Sequence, residues 1–145
     1  MIVTIDTNII YQALYSNAWA SYQILNLIIN EKIQFALTTS VYFEYYDVLT
    51  RASSLNKFQL KRFEIETILD LLALLSKKFS VYYLLRPNLI DENDNMFFEC
   101  AFVSASQFLI TSNTKHFEKR ELNDFGFEIV TPSIFYNFWK RNHGK

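Results

Sequence analysis

Apolar and polar positions change their spacing several times along the chain, and each change predicts a new element of secondary structure. Short runs rich in β-branched and aromatic residues predict strands, and longer segments with apolar residues every three or four positions predict helices. The predicted strands are 2–5, 33–37, 80–85, 108–110 and 127–130. The predicted helices are 10–15, 19–29, 41–50, 57–75, 96–103 and 133–141.

Local signals support several of these boundaries. Ser16 and Asn17 predict a break between the first two helices. The run 38–40, Thr-Thr-Ser, supplies residues that cap helix amino termini. Thr131 and Pro132 predict a cap followed by proline in the first turn of the last helix. The elements therefore have short connections.

The alternation of strands and helices predicts a mainly parallel sheet with helices on both faces. No internal repeat, low-complexity tract or linker divides the sequence. The predicted fold is thus one three-layer α/β/α domain that spans residues 1–145.

Composition narrows the class of protein. Half of the 145 residues are apolar, with 14 Phe, 9 Tyr and 2 Trp against only 2 Gly and 2 Pro, which predicts a sizeable core and few breaks. The single cysteine, Cys100, excludes an internal disulfide framework and a four-cysteine zinc site, and we expect a small core residue in a cytoplasmic protein.

Charge and hydropathy exclude two further classes. Asp6 interrupts the first apolar run, so we expect no secretory signal, and no apolar segment reaches the roughly 20 residues of a membrane-spanning helix. The net charge of −1 gives no overall positive field for nucleic acid. Any binding of nucleic acid would depend on local patches and on metal ions.

Oxygen-bearing side chains follow the predicted strands. Asp6 comes directly after the first strand, where a simple helix cap is the alternative role. Glu44 shares a helical face with Val41 and Tyr45, although an acid near a helix start also complements the helix dipole. Both residues are predicted at the carboxyl edge of the sheet, where α/β proteins usually place their sites.

The second group of candidates lies later in the chain. Asp91 and Asp94 precede the apolar helix and also fit a capping arrangement. Asn113 follows the fourth strand, where asparagine is also common for turn reasons alone. Taken together, oxygen donors on one rim of a parallel sheet suit Mg²⁺ or Mn²⁺, which activates water and stabilises charge on a phosphodiester.

The ordered set of these segments resembles the PIN domain family of metal-dependent ribonucleases, and specifically the toxins of bacterial toxin–antitoxin pairs. The segments that carry the resemblance are 5–8 (Ile-Asp-Thr-Asn), 40–51, 91–101 and 108–117.

The resemblance implies a five-stranded parallel sheet of order 3-2-1-4-5. It implies that Asp6 and Asp94 bind a cation directly and that Glu44 binds it or orients a bound water. Many family members have a fourth acid where this chain has Asn113, and the neutral amide favours one metal ion, or a site completed by substrate phosphate. The implied partners are an RNA substrate, an antitoxin and a second copy of the chain.

These observations predict an endoribonuclease that depends on Mg²⁺ or Mn²⁺ and acts as a toxin. The alternative is a degenerate PIN domain that binds RNA or protein without cutting, which Asn113 and the absence of a basic field favour. A deoxyribonuclease with the same metal chemistry is a third possibility. The aromatic segment 134–139 is predicted either to pack in the core or to form part of a homodimer interface.

Overall fold

The structure, a computed structural model, describes residues 1–81, 95–114 and 126–143. Its strands are β1 (Ile2–Ile5), β2 (Gln34–Leu37), β3 (Lys77–Lys78), β4 (Phe108–Ile110) and β5 (Glu128–Val130). Its helices are α1 (Thr7–Tyr15), α2 (Ala20–Ile29), α3 (Thr39–Leu49), α4 (Ala52–Phe58), α5 (Arg62–Leu75), α6 (Asn95–Val103) and α7 (Pro132–His143).

The five strands form one parallel sheet in the order β3-β2-β1-β4-β5, which confirms the predicted topology. Crossovers in parallel sheets are right-handed. The helices between β1 and β2 therefore cover one face, while α6, which leads into β4 on the other side of β1, covers the opposite face. α6 packs directly on β1, β2 and β4, and α7 packs on α2.

β1 is the centre of the sheet, and its sequence explains why. Val3, Thr4 and Ile5 are buried on both faces of the strand, as expected for a central parallel strand. The only hydroxyl among them, on Thr4, lies 2.9 Å from the Ser106 hydroxyl and donates to the Cys100 sulfur at 3.7 Å. The polar group in the core is therefore satisfied.

Most predicted elements are confirmed, but the single helix predicted for 57–75 is wrong. Two helices occupy this region, because Gln59 adopts a left-handed conformation (φ 56°) that ends α4. α5 then begins after Lys61, whose backbone N–H donates to the Glu64 carboxylate at 2.9 Å. Apolar residues keep a helical spacing on both sides of Gln59, so the sequence pattern did not show the break between the two helices.

The predicted third strand, 80–85, is also corrected. The structure places β3 at Lys77–Lys78, paired with Ala36 and Leu37, while residues 82–85 lie outside the described residues. β3 is an exposed edge strand, so hydrophobicity gave no sign of it.

The aromatic segment of the last helix contributes to the core. Phe135 is fully buried, and its ring centroid lies 5.4 Å from that of Phe108 on β4. Phe138 packs against the same ring at 5.1 Å. Ile134 is exposed on the other side of α7, so a role in a homodimer stays a prediction. None of the helices in the described part of the chain is long and apolar enough to cross a membrane.

Candidate active site at the carboxyl end of the sheet

Asp6 is fixed at the end of the central strand by both of its backbone groups. Its N–H donates to the Ile110 carbonyl at 2.9 Å, and its carbonyl accepts from Ile9 N–H at 3.0 Å, which starts α1. The carboxylate stands in the position of a helix cap but makes no side-chain cap hydrogen bond. It is 8% exposed. Capping therefore does not account for this buried acid.

The Asp6 carboxylate is instead held by the turn after β4. Thr111, which is fully buried, donates its hydroxyl to Asp6 Oδ2 at 2.7 Å. The same hydroxyl oxygen accepts the backbone N–H of Asn113 at 3.1 Å. Asn113 is exposed and lies at the same rim as Asp6, so the two predicted residues meet through Thr111.

Asn8, on the first turn of α1, adds a second connection between these segments. Its amide nitrogen lies 3.5 Å from Asp6 Oδ2, and its amide oxygen lies 3.5 Å from the backbone nitrogen of Ser112. Both distances are at the outer limit of a hydrogen bond, so the contacts are weak. They nevertheless orient the Asn8 side chain between β1 and β4.

Glu44 lies on α3, the helix that follows β2. Thr38 caps the amino terminus of this helix, because its hydroxyl accepts the Val41 N–H at 3.3 Å. Tyr45 is buried, and its hydroxyl donates to the carbonyl of Ile5, the residue before Asp6. Glu44 is the neighbour of Tyr45 and is only partly exposed. α3 is thus anchored to the end of β1 through Tyr45, the neighbour of Glu44 in the sequence.

Burial changes the acidity of two groups beneath this rim. It raises the pKa of Tyr45 well above its ordinary value, and the nearby Cys100 and Asp6 raise it further. Burial also raises the pKa of the Cys100 thiol to about 12, although hydrogen bonds with Thr4 and the Thr38 backbone oppose this shift. Both groups are therefore neutral at physiological pH, and neither acts as a nucleophile or base.

Asp91 and Asp94 lie outside the described residues, so the structure tests neither. α6 begins at the next residue, Asn95. Across 1–81, 95–114 and 126–143, no three His, Cys, Asp or Glu side chains form a group that could hold a metal ion. The ligand set of Asp6, Glu44 and Asp94 therefore stays a prediction.

Two buried oxygens that the sequence analysis did not single out belong to residues that neighbour predicted ligands in the sequence. The Oγ1 atom of Thr7, which follows Asp6 in the sequence, and the Oδ1 atom of Asn95, which follows Asp94, are buried and have no hydrogen-bond partner among the described residues. Such groups are costly unless another ligand satisfies them. The only sequence signals were their positions in the Asp-Thr-Asn opening and in the acidic run.

Glu99 is a further residue that the sequence analysis missed. It lies on α6, one turn after Asn95, and is 6% exposed. The surrounding helix is so apolar that its pattern predicted only a core element. A buried carboxylate is unusual in such a helix, because removing a charge from water is costly.

The side chains named above are oxygen donors, the chemical type that binds hard divalent cations. They are a buried carboxylate at Asp6, a partly buried carboxylate at Glu44 and the unsatisfied oxygens of Thr7 and Asn95, with no described thiol or imidazole among them. Oxygen donors of this kind suit Mg²⁺ or Mn²⁺ rather than a softer metal.

Comparison with known proteins identifies the family. The model of the PIN domain matches residues 2–115. The chain belongs to the PIN domain family. The matched region of this PIN domain runs from β1 to the turn after β4 and includes Asp6, Glu44, Asp94 and Asn113.

The fold of this PIN domain is also found in a solved structure, VapBC2 from Rickettsia felis bound to a DNA fragment from their promoter. The TM-score is 0.59 at 17% sequence identity, over 90% of this chain and 98% of the other. At this identity the likeness concerns the fold. No curated protein has a significant match to the PIN domain described here.

Proposed function

We propose that this PIN domain is a metal-dependent endoribonuclease that cleaves RNA phosphodiester bonds. The observation that carries the proposal is the buried Asp6 carboxylate, which Thr111 holds at the end of the central strand and which does not cap α1. An acid at this position with a purely structural role would be expected to cap α1. A buried carboxylate that Thr111 orients by a hydrogen bond is instead suited to binding a cation.

In this proposal Asp6 and Asp94 bind Mg²⁺ or Mn²⁺, and Glu44 binds the ion or orients a water bound to it. When bound, such an ion activates water and stabilises charge on the phosphodiester. Thr111 fixes the orientation of the Asp6 carboxylate by its 2.7 Å hydrogen bond. Asn113 contributes a neutral amide at the rim, which lowers the negative charge that an approaching phosphate meets.

The test is cleavage of single-stranded RNA by the purified chain with Mn²⁺ or Mg²⁺, with and without chelator. Since loss of an outer-shell contact already costs roughly 10- to 100-fold, Asp6→Asn and Asp94→Asn should lower cleavage by at least roughly 100-fold. Asp70→Asn is the matched control, because Asp70 is an exposed acid on α5. Folding is checked by circular dichroism and metal binding by calorimetry.

The outcomes separate the proposal from its rival. Cleavage that survives both chelator and Asp94→Asn in a folded protein contradicts the proposal. A folded wild-type protein that binds no Mn²⁺ and cuts no RNA favours the non-catalytic PIN domain, which Asn113 supports by removing one acid from the rim. Cleavage of DNA but not RNA favours the deoxyribonuclease.

We further propose that the protein is a cytoplasmic toxin that an antitoxin restrains. The solved VapBC2 structure, with the same fold, and the family of the chain support this proposal. Expression of the chain alone should slow growth of its host, and Asp6→Asn should abolish the effect. A harmless wild-type chain would contradict it.

We expect a homodimer, which size measurement in solution tests.

A further inference from the structure

An open pocket of about 620 Å³ lies beside the candidate active site. Its wall combines the end of α1, the start of α2, the turn after β4 and the start of α7. The residues that matter here are Gln12, Trp19, Ser21, Ser112, Thr131 and Ser133. Its volume is within the roughly 300–1,000 Å³ typical of ligand sites.

Hydrogen bonds link the pocket wall to Asp6. Ser112 directly follows Thr111, whose hydroxyl donates to Asp6. The Gln12 amide nitrogen donates to Ser112 Oγ at 3.2 Å, and its amide oxygen accepts from the Ser21 hydroxyl at 2.7 Å. Gln12 therefore joins α1, α2 and the β4 turn. The pocket wall is thus connected through Ser112 to the turn whose Thr111 contacts Asp6.

The chemistry of the wall favours a nucleobase. No charged side chain is present among the lining residues that the structure describes, so the pocket offers no cation for phosphate. It offers the exposed hydroxyls of Ser112 and Ser133, and hydroxyl groups both donate and accept hydrogen bonds. Trp19 is 50% exposed, which leaves a large aromatic surface in contact with solvent. Aromatic side chains of this kind stack on unpaired bases.

We propose that this pocket binds an unpaired base of single-stranded RNA next to the scissile phosphate, with Trp19 as the stacking surface. The inference rests on the proposed function, because it assumes that RNA is the substrate. Binding here positions the strand along the sheet edge. Duplex RNA has no free base to offer, so the pocket selects single-stranded RNA.

Binding is measured by fluorescence anisotropy with a short, labelled, single-stranded RNA in an Asp6→Asn background. This background prevents cleavage, and every variant is compared within it, so any effect of Asp6→Asn on RNA binding cancels in the comparison. Trp19→Ala should weaken binding roughly 5- to 100-fold, because one base stack is lost. Trp19→Phe should recover part of the affinity. Phe63→Ala is the matched control, because Phe63 is an exposed aromatic residue on α5.

The same RNA with an abasic residue at each position in turn identifies the base in the pocket. At that position, the losses of binding free energy from base removal and from Trp19→Ala should not be additive, because both changes remove the same stacking contact. Equal affinity of Trp19→Ala and its parent, full additivity at every position, or no RNA binding by the parent would overturn the inference.

Cleavage by the Trp19→Ala variant with an intact Asp6 separates this inference from the proposed function. A higher KM supports the pocket as an RNA subsite. Unchanged KM and kcat overturn the subsite and leave the nuclease standing. RNA binding that depends on Trp19 without any cleavage supports the subsite and removes the nuclease.

Discussion

At the scale of single residues, Thr111 decides how Asp6 is presented. It is fully buried, and its hydroxyl is shared between the Asp6 carboxylate and the Asn113 backbone. Valine has nearly the same shape but no hydroxyl, so Thr111→Val removes both contacts without opening a cavity. The substitution therefore tests orientation separately from packing.

Thr111→Val should lower both the Mn²⁺ affinity and the RNA cleavage rate by roughly 10- to 100-fold, as for other second contacts of metal ligands. Thr111→Ser, which keeps the hydroxyl, should recover most of the loss. Calorimetry and cleavage kinetics check the prediction. Thr67→Val is the control, because the Thr67 hydroxyl is exposed and bonds only within α5. Wild-type Mn²⁺ affinity in Thr111→Val would contradict it.

The buried thiol of Cys100 makes stability depend on alkaline pH. Its pKa rises from 9.0 to about 12 on folding, so the unfolded chain loses this proton first. The stabilisation is complete below pH 9 and is lost as the pH rises from there towards 12.

Between pH 8 and pH 10, wild type should lose roughly 1 kcal/mol more unfolding free energy than Cys100→Ala. Cys100 contributes to the raised pKa of Tyr45, but burial is the larger cause and keeps Tyr45 neutral in both folded proteins, so tyrosine ionisation cancels in this difference. Urea denaturation at each pH measures it. If the unfolding free energies of wild type and Cys100→Ala changed in parallel with pH, the thiol would ionise equally well in the folded protein, which would contradict the prediction.

The sequence led to some of these residues and not to others. Asp6 and Asn113 were predicted at one edge of the sheet because each follows a recognisable strand, and the structure places them there. Thr7, Asn95 and Glu99 gave no comparable signal. Their burial depends on packing between elements, which the spacing of apolar residues does not specify.

At the scale of elements, Gln59 shows where spacing fails as a guide. Its left-handed backbone ends α4, and the Leu60 N–H donates back to the Leu55 carbonyl at 3.1 Å. Such a conformation is strained for residues with a Cβ and natural for glycine. The sequence has glutamine at this position, so no turn residue marked the helix end.

Gln59→Gly should raise the unfolding free energy by about 0.5–1 kcal/mol, since relief of backbone strain exceeds the added entropy of the unfolded chain. Gln23→Gly, within α2, should instead lower it by about 0.5–1 kcal/mol. Urea denaturation compares both variants with wild type. A loss of stability in both would mean that the Gln59 side chain contributes more than its backbone strain costs.

The strands show a similar division. β1 and β4 are buried, and their apolar runs predicted them closely. β3 pairs through its backbone while both of its lysines face solvent, so the pairing left no hydrophobic pattern. Sequence patterns report burial, and they report strand pairing only where pairing and burial coincide.

At the scale of the whole molecule, the order of the strands brings the site together. β1 and β4 are far apart in sequence but adjacent in the sheet, so Asp6 meets Thr111 across 105 positions. Alternation of elements predicted a parallel sheet, but strand order entered only through the resemblance to PIN domains. The site therefore depends on topology as much as on its residue types.

The position of β3 also affects how two copies of this protein can associate. A sheet that ends on a long, apolar strand can add a strand from a neighbouring molecule through its open backbone groups. Here the β3 edge offers two residues, and both are lysines. Two such edges would repel each other and provide few hydrogen bonds. Growth of the sheet across molecules is therefore discouraged on the β3 side.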